Sequence, residues 1–215
     1  MIKGVIFDAD GTLLDSMHVW DEVGERYLHA LGKTPEPDLY RILFPMTLEE
    51  SSVYLKEHYG LAESPEEIKA GVLAIIDAFY RNEADLKSGV REYLKFLRQS
   101  GIRSVVATTG DKDQLEAAFT RLGIREDLEA IFTCSEWQTS KREPKIYLTA
   151  AKYLGTQPRE TAVFEDVLFA VKTAKGAGFM TVAVEDAANE SHREELRHTA
   201  DLYVGDFTDP LLTEL

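Results

Sequence analysis

Apolar positions along the chain fall into two regimes. From about residue 88 onward, short apolar runs alternate with helical stripes. Val90, Leu94 and Leu97 recur at i, i+4 and i+7, and Gly101 follows as a helix stop. The run Val105-Val106-Ala107 predicts a strand. Leu115, Ala118, Phe119 and Leu122 predict a second helix, closed by Gly123. Ala130-Ile131-Phe132 reads as a further strand, and Ile146, Ala150 and Leu154 as a helix ending at Gly155. Thr161 to Phe164, a helix from about Val167 to Lys175, and Phe179 to Val184 continue the alternation, with Asp201 to Val204 as an edge strand. Near the start, Val5-Ile6-Phe7 is one more buried strand. Strands alternating with helices of this length imply parallel pairing with right-handed crossovers, an α/β fold with a doubly wound sheet.

Residues 16–85 follow another rule. Val19, Val23, Tyr27 and Leu31 form a helical stripe stopped by Gly32. Ser64-Pro65-Glu66-Glu67 is a capping box with proline at the first helical position. Ile68, Val72, Ile75 and Phe79 carry that helix onward. No β-type alternation appears, so the segment reads as an all-helical insert, rich in acids, between residues 1–15 and 86–215 of the α/β domain.

Composition narrows the partners. The chain has 215 residues, of which 44% are hydrophobic and 29% charged, ordinary values for a globular protein. A net charge of −14, from 24 basic and 38 acidic residues, argues against a nucleic-acid backbone or an anionic membrane as partner. The single cysteine, Cys134, excludes an internal disulfide and fits a reducing compartment. No stretch is long enough to span a membrane, and the expected location is cytoplasmic.

The chemistry gathers at predicted strand ends. Asp8 and Asp10 follow the first strand, with Gly11-Thr12 straight after. Ligands of open α/β sheets bind at the carboxyl ends of strands. One carboxylate there can attack an electrophile while the other handles a proton. Two acids about 4 Å apart, at an effective dielectric of about 20, repel by roughly 4 kcal/mol. A cation is therefore expected beside them. Thr108 and Thr109 end another strand and offer hydroxyl and N–H groups to an anion. Lys141 lies in the loop before the helix opened by Pro144, and Glu165-Asp166 ends a further strand, where it can complete a metal site with Asp8. A hard cation held by few carboxylates, with waters retained, suits Mg2+.

Taken together, Asp8-x-Asp10-Gly11-Thr12, Thr108, Lys141-x-x-Pro144 and Glu165-Asp166 resemble, in order and over almost the whole chain, the haloacid dehalogenase superfamily. The resemblance is to its helical-cap branch of phosphatases and β-phosphoglucomutase-like enzymes. It implies a Rossmann-like core, with residues 16–85 as a cap that closes over the site about hinges near Leu14–Ser16 and Asp85–Gly89. It also implies Asp8 as the nucleophile that forms an aspartyl-phosphate and Asp10 as the acid and base. Thr108 and the Thr109 backbone would grip the phosphoryl group, and Lys141 would neutralise it together with Asp8. Asp8, Asp166 and the carbonyl of Asp10 would hold Mg2+. Dehalogenases of the superfamily lack the second aspartate, so Asp10 points to phosphoryl transfer.

The implied activity is a phosphatase for a small phosphorylated metabolite. A hexose-phosphate mutase is the alternative within the family, and a non-catalytic module binding a phospho-ligand or a protein is the alternative outside it. Family mutases carry a histidine where this chain has Trp20. Arg41 is the best basic candidate in the insert for a substrate anion. Met17, Trp20, Tyr40 and Phe44 read either as core or as substrate contacts, His18 as a surface or satisfied histidine or a substrate contact, and Cys134 as structural. The chain departs from the usual family pattern at Arg142, Lys145, Val167 and Ala170. A monomer or weak homodimer is expected.

Overall fold

A computed structural model describes residues 1–215, which divide into two compact units: Met17–Glu83, and Met1–Ser16 with Ala84–Leu215. The first is wholly helical, with α1 (His18–Ala30), α2 (Leu39–Leu43), α3 (Leu48–Tyr59) and α4 (Pro65–Asn82). Helix α4 starts where its sequence says it should. Ser64 Oγ accepts from the Glu67 N–H at 3.2 Å, and the Glu67 carboxylate accepts from the Ser64 N–H at 2.7 Å. A second capping box, Thr47 with Glu50, opens α3. The buried face of α4 is Ile68, Val72, Ile76, Phe79 and Tyr80. Ile75, expected in that stripe, is only half-buried. Spacing of four and then three or four keeps Ile76, rather than Ile75, above Val72 and below Phe79.

The second unit carries strands β1 (Gly4–Phe7), β2 (Leu14–Asp15), β3 (Asp85–Leu86), β4 (Arg103–Thr108), β5 (Ile131–Thr133), β6 (Thr161–Glu165), β7 (Met180–Val184) and β8 (Leu202–Val204). Its helices are α5 (Val90–Gln99), α6 (Lys112–Arg121), α7 (Lys145–Leu154), α8 (Leu168–Gly176) and α9 (Arg193–Thr199). Six strands form one parallel sheet in the order β5-β4-β1-β6-β7-β8, with β8 at the edge. The alternating α/β pattern therefore gives the doubly wound sheet expected of it. Helix α9 and the pairing of β2 with β3 were not foreseen. That short antiparallel ribbon, Leu14 opposite Leu86 and Asp15 opposite Asp85, occupies the two connections to the insert. Two residues per strand leave no periodicity to read.

Strand alternation sorts the core. Ile6 pairs with Val105 and Val163, and all three pack with Ile146, Tyr147, Ala150 and Leu154 of α7. Phe7, one residue on, points to the opposite face, where its ring lies 4.9 Å from that of Phe164 and 6.3 Å from Tyr93 of α5. Full burial of such a side chain stabilises by roughly 1.5–3 kcal/mol. The central strand is thus held from both sides. From β1 the chain first builds outward through β4 and β5, then crosses back to β6, β7 and β8. The reversal puts the carboxyl ends of β4, β1 and β6 side by side, the place where such sheets bind ligands. No helix is long and apolar enough to cross a membrane.

Candidate active site

Asp8 is the first residue past β1 and stays in the sheet ladder, its N–H donating to the Phe164 carbonyl at 2.9 Å. The chain then turns tightly. Gly11 takes φ 75°, a left-handed conformation that favours glycine. Its N–H reaches the Leu14 carbonyl at 3.0 Å, while the Leu13 N–H donates to the Ala9 carbonyl at 2.9 Å. Asp8 and Asp10 are fixed by this loop, and Asp10 Oδ1 accepts from Ser16 Oγ at 2.7 Å. Thr108, at the end of neighbouring β4, is buried, and its Oγ1 accepts from the Gly110 N–H at 2.9 Å. A Cβ on Gly110 would lie 3.0 Å from Asp10 Oδ2 and 3.3 Å from Thr108 Oγ1. A larger residue would crowd the Asp10 carboxylate and, less closely, the Thr108 hydroxyl. Thr109 is exposed beside them.

Lys141 binds the cluster together. Its Nζ is 2.5 Å from Asp8 Oδ1 and 2.7 Å from Glu165 Oε1, and Asp8 Oδ1 also accepts from the Ala9 N–H at 2.7 Å. Tyr147 Oη donates to the same Glu165 oxygen at 2.7 Å, and Asn189 Nδ2 donates to Asp166 Oδ2 at 2.7 Å. Burial is nearly complete: Asp8 is 7% exposed, Lys141 4%, and Glu165 and Asp166 0%. Three carboxylates against one ammonium leave negative charge in a poorly solvated place. Burial alone would lower the Lys141 pKa, but the charges of Asp8 and Glu165 outweigh it, so its pKa is raised and it stays cationic. Burial, and next the charge of Asp8, push Glu165 above the usual carboxylate range. Burial, then Asp8 and Glu165, hold Asp166 well above the usual carboxylate range.

This imbalance fits a cation. Asp8, Glu165 and Asp166 each offer an oxygen, and these atoms all lie within 4.8 Å of one another. Glu165 Oε2 and Asp166 Oδ1 are buried without any hydrogen-bond partner. An orphaned buried carboxylate oxygen is costly, and a hard divalent ion with oxygen ligands is the partner such atoms accept best.

Of the sequence-derived candidates, Asp8, Lys141 and Asp166 are brought together, and Asp10 Oδ2 and Thr108 Oγ1 both lie close to Gly110. Arg41 belongs to the helical unit, exposed on α2, where its Nε donates to the Tyr40 hydroxyl at 2.8 Å. Trp20 and Phe44 are 50% and 84% exposed, so neither is core. The unusual basic residues of the lysine loop are engaged locally: the Arg142 guanidinium sits 4.3 Å over the Phe169 ring, and Lys145 Nζ donates to the Trp137 carbonyl at 2.7 Å. Val167 stands at the N-cap of α8 with no side-chain cap bond, the position where serine would supply one. Tyr147, Asn189, Ser16 and Gly110 were missed. Tyr147 reads as part of the α7 apolar stripe, and Asn189 lies in an irregular turn just past β7 that no sequence motif marks.

Relatives agree with this geometry. The sequence matches the haloacid dehalogenase-like hydrolase family over residues 5–184. The validoxylamine A 7'-phosphate phosphatase of Streptomyces hygroscopicus subsp. limoneus is 28% identical over 97% of this chain and 96% of its own. A phosphorylated carbohydrates phosphatase of Thermotoga maritima is 28% identical, covering 82% of each. Among solved structures, a Thermotoga maritima protein provisionally named a β-phosphoglucomutase superposes with a TM-score of 0.84 at 26% identity, covering 94% of both chains. With Asp8 at the end of the central strand paired to the buried Lys141 and the family match spanning residues 5–184, this chain belongs to the haloacid dehalogenase-like hydrolases.

Proposed function

We propose that the protein is a Mg2+-dependent phosphatase that hydrolyses a small phosphorylated metabolite, a phosphorylated carbohydrate by preference, through an aspartyl-phosphate on Asp8. The observation that carries this reading is the Asp8–Lys141 contact of 2.5 Å beside two orphaned buried carboxylate oxygens. Lys141 sets its positive charge against Asp8 Oδ1, and the Asp8 carboxylate is the nucleophile. An Asp8 oxygen attacks phosphorus as the bond to the leaving oxygen breaks, and Asp10 delivers a proton to that oxygen. Asp10 then takes a proton from the water that attacks phosphorus, which frees Asp8 and releases phosphate. Thr108 and the Thr109 backbone donate to the phosphoryl oxygens, and Lys141 offsets their charge, the positioning and charge stabilisation on which phosphoryl transfer depends. Mg2+, held by Asp8, Asp166 and the Asp10 carbonyl, would supply positive charge at those oxygens. The preference for carbohydrate phosphates rests on the substrates named for the relatives.

The test is phosphate release from a panel of phosphorylated sugars and sugar alcohols with Mg2+, run on wild type and Asp8→Asn. Release by wild type and none by a folded Asp8→Asn protein is expected. Undiminished turnover by the variant would remove Asp8 from its role. The structural likeness to a protein named a mutase gives a second reading its own signature: isomerised sugar phosphate, primed by a bisphosphate, without free phosphate. Binding of a panel member with neither outcome would favour a non-catalytic module.

A further inference from the structure

Asp166 is wholly buried, and its two oxygens have different surroundings. Oδ2 accepts from Asn189 Nδ2 at 2.7 Å, while Oδ1 has no partner. The Asn189 amide presents its NH2 group here, as the ionised carboxylate of a cation ligand requires. Asn189 lies in the turn Ala187–His192, 23 residues beyond Asp166, with a non-helical backbone of φ −108° and ψ 16°. That turn is itself anchored. Asp186 Oδ1 caps it by accepting from the Ala188 N–H at 2.9 Å, and the Asn189 N–H donates to the Asp186 carbonyl at 3.1 Å. Asp186 Oδ2 in turn meets Lys87 Nζ at 2.8 Å, with side-chain exposures of only 6% and 11%. Lys87 also donates to the Glu185 carbonyl at 2.5 Å, and its own N–H holds the Leu13 carbonyl at 3.0 Å.

We infer that Asn189 is a positioning residue for the cation of the proposed phosphatase site, and that the Lys87–Asp186 ion pair holds Asn189 in place. The inference rests on the metal-dependent reading above and goes beyond it. By occupying Oδ2, the amide leaves Oδ1 as the one open oxygen of Asp166 and fixes the rotation of the carboxylate. A neutral donor does this without cancelling charge, whereas a lysine in its place would compete with the cation for Asp166. The relay runs from Lys87, just past β3, through Asp186 and its turn to Asn189 and Asp166. Partners of this outer kind typically set metal affinity by 10–100-fold.

The experiment is calorimetric titration with Mg2+ alone, without substrate, alongside metal-free thermal melts. Wild type should bind, and Asn189→Ala should bind about tenfold more weakly, with catalysis recovered at saturating Mg2+. Lys87→Met should weaken binding by a smaller factor. The double variant should be no weaker than Asn189→Ala alone, because both act through one amide. A residue that merely supports the fold would lower the metal-free melting temperature and leave affinity unchanged, which would overturn the relay while sparing the metal site. Fully additive losses would overturn the link through Lys87. If Asn189→Ala does not fold, Lys87→Met decides alone, its unchanged affinity counting against the relay. No Mg2+ binding by wild type would instead overturn the metal reading itself.

Discussion

Acidic residues do two different jobs in the two units. In the helical unit, Glu49 and Glu50 open α3 and Glu66 and Glu67 open α4, exposed and in the first turns where a helix N-terminus favours negative charge. At the strand ends of the α/β unit, Asp8, Glu165 and Asp166 are buried together with a single lysine, and two of their oxygens have no partner. Local rules are kept in the first case and broken in the second. A buried carboxylate cluster of this kind gives up stability where chemistry can use it.

The largest effect should come from removing the one cation at the broken place. Lys141→Ala leaves Asp8 and Glu165 facing each other in the interior. Breaking a buried pair in this way costs about 3–5 kcal/mol. Urea denaturation without metal should show that loss, and Lys69→Ala, which removes the exposed partner of Glu49 in the helical unit, should show almost none. Equal losses would erase the contrast between the units.

Metal comes next. A ligand that binds only the folded chain stabilises it by about 2.7 kcal/mol at 100 times its dissociation constant. Mg2+ should therefore raise the melting temperature, and chelation should reverse the rise. Asp166→Ala should abolish the shift, while Glu49→Ala leaves it intact. A shift that survives Asp166→Ala would place the ion elsewhere.

The same contrast explains what could be read from the chain. Ser64 and Glu67 reveal the start of α4 because a capping box acts within four residues, and the stripe from Ile68 to Phe79 reveals its buried side to within one position. The parallel sheet was legible from Val5–Phe7, Val105–Ala107 and Thr161–Phe164 because strands buried on both faces read as continuous apolar runs. Asp8, Lys141 and Asp166, which the structure brings together, stood out only because their motifs follow in the order the family resemblance implies; by position alone Lys141 reads as a surface lysine. Tyr147 and Asn189 were not legible. Their roles depend on contacts to Glu165 and Asp166, each 18 or more residues away, and no local pattern encodes a hydrogen bond at that distance. Gly110 was missed for the same reason: what would crowd a side chain there first is Asp10, 100 residues earlier in sequence and on another strand's loop.

Helix starts give a smaller and more symmetrical test. Ser64→Ala removes a cap that is present and should cost about 1 kcal/mol, while Val167→Ser supplies one that is absent from α8 and should gain up to about 1 kcal/mol. Chemical denaturation reads both. A Val167→Ser protein that gains stability but loses turnover would show that the uncapped start of α8, next to Asp166, serves the site; unchanged turnover would make it a tolerated departure.

The smallest effect is the pH dependence of one exposed cap. The Ser64 backbone N–H, and next the Ser64 side chain, hold the Glu67 carboxylate below its usual value of 4.5. The folded chain therefore binds fewer protons at this site than the unfolded chain does between the two values. Stability from the ionised carboxylate is present above pH 4.5 and is lost as the pH falls through the lower, folded value. Glutamine can still accept the Ser64 N–H, so Glu67→Gln isolates the contribution of charge. The difference in melting temperature between wild type and Glu67→Gln should be small at pH 7, shrink further as acid is added, and diminish with salt, because the site is in water. The Lys141 cluster, shielded from solvent, should respond far less to salt. A salt-insensitive difference at Glu67 would mean that its charge acts on something other than the first turn of α4, and the division between a locally ruled unit and a chemically strained one would need redrawing at that residue.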